Sequence, residues 1–147
     1  MAGRTFVMIK PDGVRRFLAG KIISRFEEKG MRIVQCRILT PTKELAESHY
    51  DEHRGKDFFG RVIEYITSGP VWAMTIEGGD QCVSTVRRMI GDTFPENAAP
   101  GTIRGDFGIT RPYNVIHSSD STLSAEREIT LWFGNGNNNK KEGAKAE

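Results

Sequence analysis

The sequence has no apolar run long enough to cross a bilayer, and its first residues, MAGRTFVMIKPDG, lack the apolar stretch of a signal peptide. Neither a membrane partner nor a secretory leader is therefore expected, and a cytoplasmic location is. Cysteine is scarce. Cys36 and Cys82 stand far apart with no CxxC spacing, which argues against a disulfide framework or a zinc site and reads as two reduced, buried thiols. Neither sign of charge dominates: 21 basic and 19 acidic residues leave a net +2, so any anion site must come from local clustering. No GxxxxGK[ST] occurs, which rules out a P-loop. There is no internal repeat.

What is present is an ordinary globular composition, 37% hydrophobic and 27% charged over 147 residues, enough for one domain with a sizeable core. RTFVMIK reads as a strand ending at a Pro11-Asp12-Gly13 turn, and AGKIISRFEEKG as a helix closed by Gly30. MRIVQCRIL is a second strand. Residues 43–67 look helical in two pieces broken around HRGKDFFG. GPVWAMTIEG is a third strand, and DQCVSTVRRMIG is a helix with Asp80 as its N-cap. The long loop DTFPENAAPGTIRGDFGITRP leads to a strand carrying His117, and LSAEREITLWF is the last helix. This order predicts an α+β ferredoxin-like sandwich, a four-stranded antiparallel sheet with helices packed on it, covering one face. Residues 1–133 form the expected single domain. The polar tail 134–147, GNGNNNKKEGAKAE, cannot bury apolar surface and is expected to be disordered.

Chemistry is expected where the patterns break. His117 sits where the strand Asn114-Val115-Ile116 meets a polar Ser118-Ser119-Asp120-Ser121 turn, as a core histidine, a metal ligand or a nucleophile. Arg87 falls inside the Val83, Val86, Ile90 stripe. Snorkelling and anion holding are about equally good readings of it. Glu128 lies at the edge of the stripe formed by Ala125, Ile129 and Trp132, either solvated or reaching a histidine to fix its tautomer. Lys10 ends an apolar strand, most simply in water. GTIRGDFG could wrap an anion with backbone N–H groups and Arg104, a weak signal alone. RGDFGI is an incomplete match to the RNP1 motif of RNA-binding domains. Spacing alone reaches only a nucleotide- or nucleic-acid-binding sandwich.

Taken together, RTFVMIKPDGVRR, HYDEHRGKDFFG, SGPVWAM, PGTIRGDF and NVIHSSDS with SAEREI and LWF resemble the nucleoside diphosphate kinases from about Arg4 to Phe133. The resemblance implies ping-pong transfer of the terminal phosphoryl group from an NTP to an NDP through a phosphohistidine on His117. A neutral imidazole suits that step, because it is a nucleophile near pH 7 without a separate base. Carried over residue by residue, Arg87, Thr93 and Arg104 would hold phosphates, Lys10 and Asn114 the sugar, and Phe58 would stack on the base. Tyr50 would lie beside His117, with Glu128 and Ser119 as its helpers. No metal site of the protein's own is implied; Mg²⁺ would arrive on the nucleotide phosphates. The family also implies a homo-oligomer, with a hexamer favoured.

Four positions depart from the family pattern. Asp57 stands for a common proline, Phe94 for an asparagine and Ser118 for a small glycine or alanine. Arg111-Pro112 stands where an apolar residue forms the second wall of the base site, which leaves base preference open. The rival reading is a non-catalytic nucleotide- or nucleic-acid-binding module of the same fold, which would not need the nucleophile. A structural or regulatory role in assemblies would add to catalysis, and nucleic acid stays a secondary partner.

Overall fold

The computed structural model describes residues 3–134. Its order is β1 (Gly3–Ile9), α1 (Pro11–Arg15), α2 (Ala19–Glu28), β2 (Arg32–Leu39), α3 (Lys43–His49), α4 (Phe59–Ile66), β3 (Val71–Gly78), α5 (Cys82–Ile90), α6 (Ile103–Phe107), β4 (Ile116–Ser118) and α7 (Thr122–Phe133). The four strands lie in the order β2-β3-β1-β4, with every neighbouring pair antiparallel. That is the ferredoxin-like α+β arrangement the element order implies. No helix among the described residues is long and apolar enough to cross a membrane. The expected disordered tail lies outside the described residues, apart from Gly134.

The helices cover both faces of the sheet, a correction to the one-sided packing expected from sequence. β1 explains why: Thr5 to Ile9 are buried without interruption, the pattern of a strand covered on both sides. Alternate side chains then feed two cores. Val7 and Ile9 join Ile22 and Phe26 of α2 with Val86 and Ile90 of α5. Phe6 and Met8 join Ala46 of α3, Ile63 and Ile66 of α4, and Ile129 and Trp132 of α7. Each fully buried side chain of this size contributes about 1.5–3 kcal/mol.

Three local readings change. Pro11-Asp12-Gly13 opens α1 rather than closing a turn, with Pro11 in the first helical turn where its missing N–H is harmless. Asp80 does not cap α5. A turn closed by the Cys82 N–H on the Gly79 carbonyl takes it up, and Gln81 holds the cap position without capping a backbone N–H through its side chain. GTIRGDF is not a bare loop but α6, capped by the Thr102 hydroxyl, which accepts from the Gly105 N–H at 3.0 Å. Cys82 is buried as expected, but Cys36 is exposed because β2 is an edge strand.

Candidate active site

β4 has three residues, and alternation decides what its middle one does. Ile116 enters the α2–α5 core, so His117 faces the other side, where α3 and α7 pack. The strand's entry is pinned twice. Lys10 donates its backbone N–H to Val115 O at 2.8 Å, and the buried Asp12 carboxylate accepts from Val115 N–H at 3.2 Å. Glu128, only 5% exposed, projects from α7 onto the imidazole. Its Oε1 lies 2.6 Å from His117 Nε2 and accepts from Ser119 Oγ at 3.1 Å. An oxygen already accepting from a hydroxyl acts as acceptor toward the ring as well, so Nε2 carries the ring proton. Nδ1 is left with a free lone pair. Burial, then the charges of Lys10, Arg104 and Arg87, push the His117 pKa well below the usual imidazole value.

A second histidine backs this pair. His49, buried at the end of α3, packs edge-on to His117 with ring centroids 4.5 Å apart. Trp132 Nε1–H donates to His49 Nδ1 at 3.0 Å. An indole can only donate, so His49 Nδ1 is an acceptor and the proton sits on Nε2. Burial foremost, with the neighbouring His117, holds the His49 pKa well below normal. Tyr50 follows directly, its ring 6.3 Å from His117, and burial raises its phenol pKa.

His117 lines a cavity of about 270 Å³. Cations converge on it from three directions. Lys10, far from being a solvated strand end, donates to Asn114 Oδ1 at 2.8 Å. Burial, then repulsion from Arg104, lowers its pKa to about 7. Arg104 on α6 is 5% exposed, donates to Gly91 O at 3.2 Å and Ile116 O at 2.6 Å, and is lowered to about 10, chiefly by burial. Its Nε has no partner among the described residues. Arg87 lies outside the buried stripe of its helix. The buried stripe of α5 is Cys82, Val86 and Ile90, while Arg87 is exposed at the cavity wall, 3.4 Å from Ser118 O. Asn114 Nδ2–H donates to Thr93 O at 2.9 Å and draws that loop to the rim. Four cationic side chains thus line a cavity in a chain whose net charge is only +2.

At the mouth, Phe58 precedes α4, and the Arg111 guanidinium lies 5.5 Å from its ring centroid. The same guanidinium is 5.1 Å from the ring of Phe94. Two of the departures from the family pattern therefore pack against each other.

Nine of the ten residues singled out in the sequence line this cavity: Lys10, Tyr50, Phe58, Arg87, Thr93, Arg104, Asn114, His117 and Glu128. Ser119 is fully buried behind it and reaches it through Glu128. In the sequence, His49 and His53 both lack the context that marks His117 as a nucleophile, yet both line the cavity. The available signal for His49 was its place on the inner side of α3, three residues after buried Ala46. Arg127 of α7 donates to the carbonyls of Ser48 and His49 and ties α7 to the end of α3.

A family model described as nucleoside diphosphate kinase matches residues 3–137. A nucleoside diphosphate kinase of Methanococcus maripaludis is 56% identical over 131 residues, covering 89% of this chain and 98% of that protein. One from Halalkalibacterium halodurans is 55% identical over 130 residues, covering 88% of each. Among solved structures, the Halobacterium salinarum nucleoside diphosphate kinase in complex with CDP superposes with a TM-score of 0.88 at 47% identity, covering 92% of this chain and 90% of that one. The Encephalitozoon cuniculi enzyme gives 0.88 at 44% identity, with 90% of each chain covered.

Proposed function

Because this chain belongs to the nucleoside diphosphate kinase family, we propose that it moves the terminal phosphoryl group of an NTP to an NDP through a phosphohistidine on His117. The observation that carries this is the His117–Glu128 pair: a neutral imidazole, its Nε2–H held at 2.6 Å, offering Nδ1 in a cation-lined cavity. In the first half-reaction His117 Nδ1 attacks the γ-phosphorus. A new N–P bond forms, the bond to the β-phosphate bridging oxygen breaks, and the NDP leaves with that electron pair. In the second, a terminal oxygen of the acceptor NDP attacks the same phosphorus. The N–P bond breaks and its electron pair returns to Nδ1.

Such transfer depends on positioning and charge stabilisation. Arg87, Arg104 and Thr93 hold the phosphates, and the unpaired Arg104 Nε is a donor suited to a phosphate oxygen. Lys10 and Asn114, already bonded to each other, take the sugar hydroxyls. Phe58 is the platform for the base. Tyr50 packs beside the imidazole, and Glu128 with Ser119 holds its tautomer. The carboxylates left on the cavity are Glu52 and Asp120, while the His49–His117–Glu128 group offers two nitrogens, a donor set a hard cation avoids. Mg²⁺ therefore fits as part of the nucleotide complex, where it supplies neutralisation of phosphate charge.

Self-association is part of this reading. β2 is an edge strand with Val34 and Ile38 exposed, the kind of surface a second copy covers. The hexamer and the cytoplasmic location rest on the family resemblance, the latter also on two free thiols. Light scattering gives the mass. The chemical test incubates wild-type and His117→Ala protein with γ-labelled ATP and Mg²⁺, removes free nucleotide and adds GDP. Acid-labile label on wild type alone, chased into GTP, is the expected result. Nucleotide binding without label would instead favour the non-catalytic module.

A further inference from the structure

Arg111 carries a planar cation at the mouth of the cavity, on an exposed side chain, within cation–π range of two rings. Resting on the kinase reading of this cavity, we propose that Arg111 is a specificity-determining residue. Its guanidinium closes over the base opposite Phe58 and makes the site prefer purine over pyrimidine nucleoside diphosphates.

A base held between two flat groups needs roughly 7 Å between them, twice the ~3.4 Å spacing of stacked bases. The guanidinium now lies 5.5 Å from the Phe58 centroid, too close for a base to enter without moving it. Arg111 must therefore lift from Phe58, and its contact with Phe94, at 5.1 Å, is the anchor that keeps it near while it does so. Once a base covers Phe58, the guanidinium regains a π-face by lying on the base itself. What it loses on Phe58 is a one-ring contact. What it gains scales with the face offered, and a fused two-ring purine offers more than a pyrimidine. An apolar wall in this place would contribute contact area but not the attraction between a cation and a π-face. Phe94 and Arg111 thus act as one unit, the ring holding the cation that covers the base.

The test is calorimetric titration of ADP, GDP, CDP and UDP, each with Mg²⁺, into wild type, Arg111→Val and Arg111→Lys. Arg111→Lys keeps the charge and removes the plane. In wild type the purines are expected to bind more tightly. The purine-to-pyrimidine ratio should fall about two- to fivefold in Arg111→Val, the size of one exposed guanidinium–ring contact. It should fall similarly in Arg111→Lys, whereas a role through charge alone would weaken all four ligands equally in Arg111→Val and spare Arg111→Lys. An unchanged ratio in Arg111→Val, or a fully retained one in Arg111→Lys, overturns the proposal while leaving the kinase reading intact. A protein that binds no nucleoside diphosphate overturns the kinase reading first, and this one with it.

Discussion

Glu128 Oε1 sits 2.6 Å from His117 Nε2, one carboxylate oxygen between the imidazole and the Ser119 hydroxyl. The pair joins β4 to α7 and decides which ring nitrogen is free. Glu128→Ala removes the acceptor, so the ring can rotate and redistribute its proton between nitrogens. The rate of His117 phosphorylation should fall by about 10- to 100-fold, the usual effect of losing an orienting partner. Glu128→Gln keeps an acceptor oxygen and should fall less. Rapid quench of the labelled enzyme measures both. Equal rates in all three proteins would show that Glu128 orients nothing.

Lys10 gives a pH dependence of definite sign. With its pKa lowered to about 7, mainly by burial, the ammonium is charged below pH 7 and lost as pH rises through it. An anionic nucleotide binds the charged form better, so nucleotide affinity should weaken from pH 7 upward, by at most about tenfold per unit for a single linked proton. In Lys10→Gln this limb should vanish and affinity be low throughout. Titration of ADP across pH 6 to about pH 9 decides it; a flat wild-type profile would contradict it.

His117 sets the acid side. Its pKa is held well below the usual imidazole value by burial and three nearby cations, so the ring stays neutral where a free imidazole would be half protonated. The rate of label incorporation should therefore stay level as pH falls through the ordinary imidazole value and decline only well below it. A rate already halved near the ordinary imidazole value of 6.5 would mean that the site does not depress this pKa.

Much of this was legible, for physical reasons that particular residues show. The unbroken apolar run from Phe6 to Ile9 already marks a strand covered on both faces, although one-sided helix packing was the expectation drawn from element order. The serine-rich turn after His117 announced a strand end, and the structure puts His117 at the middle of a three-residue strand. Short elements were harder to read. α6 has five residues, too few for a periodic signal, and only Thr102 two residues before Arg104 hinted at a cap. His49 gave only a signal of burial. A histidine on a buried helix stripe is usually core packing, and its partner Trp132 lies 83 residues away in sequence. The Phe94–Arg111 pairing is likewise a contact between two loops, and no local pattern encodes it.

Gly105 tests how Arg104 is placed. A Cβ there would run into the Ala99 carbonyl and lie 2.8 Å from the Thr102 hydroxyl that caps α6. Backbone cannot yield as a flexible side chain does, so Gly105→Ala must displace α6. Destabilisation of about 1–3 kcal/mol is expected in urea unfolding, the range for overpacked sites. Affinity for ADP should fall as well, because Arg104 is the preceding residue. Unchanged stability and affinity would mean that the Ala99 turn is free to move.

The buried His49–Trp132 contact makes the last prediction. The indole N–H donates to His49 Nδ1 at 3.0 Å, and both residues are almost fully buried. Trp132→Phe leaves a ring-nitrogen acceptor in a dry setting, at a cost of about 1–3 kcal/mol beyond the packing lost with the indole. His49→Leu strands the indole N–H in the same way. Replacing both partners removes the polar pair together, so the double variant should be less destabilised than the sum of the singles. Urea unfolding of the four proteins completes the cycle. Nitrogen-15 shifts should also place the His49 proton on Nε2 in wild type and leave it free to redistribute in Trp132→Phe. Additive destabilisation with an unchanged tautomer would mean that this hydrogen bond neither stabilises the fold nor orients the ring packed against His117.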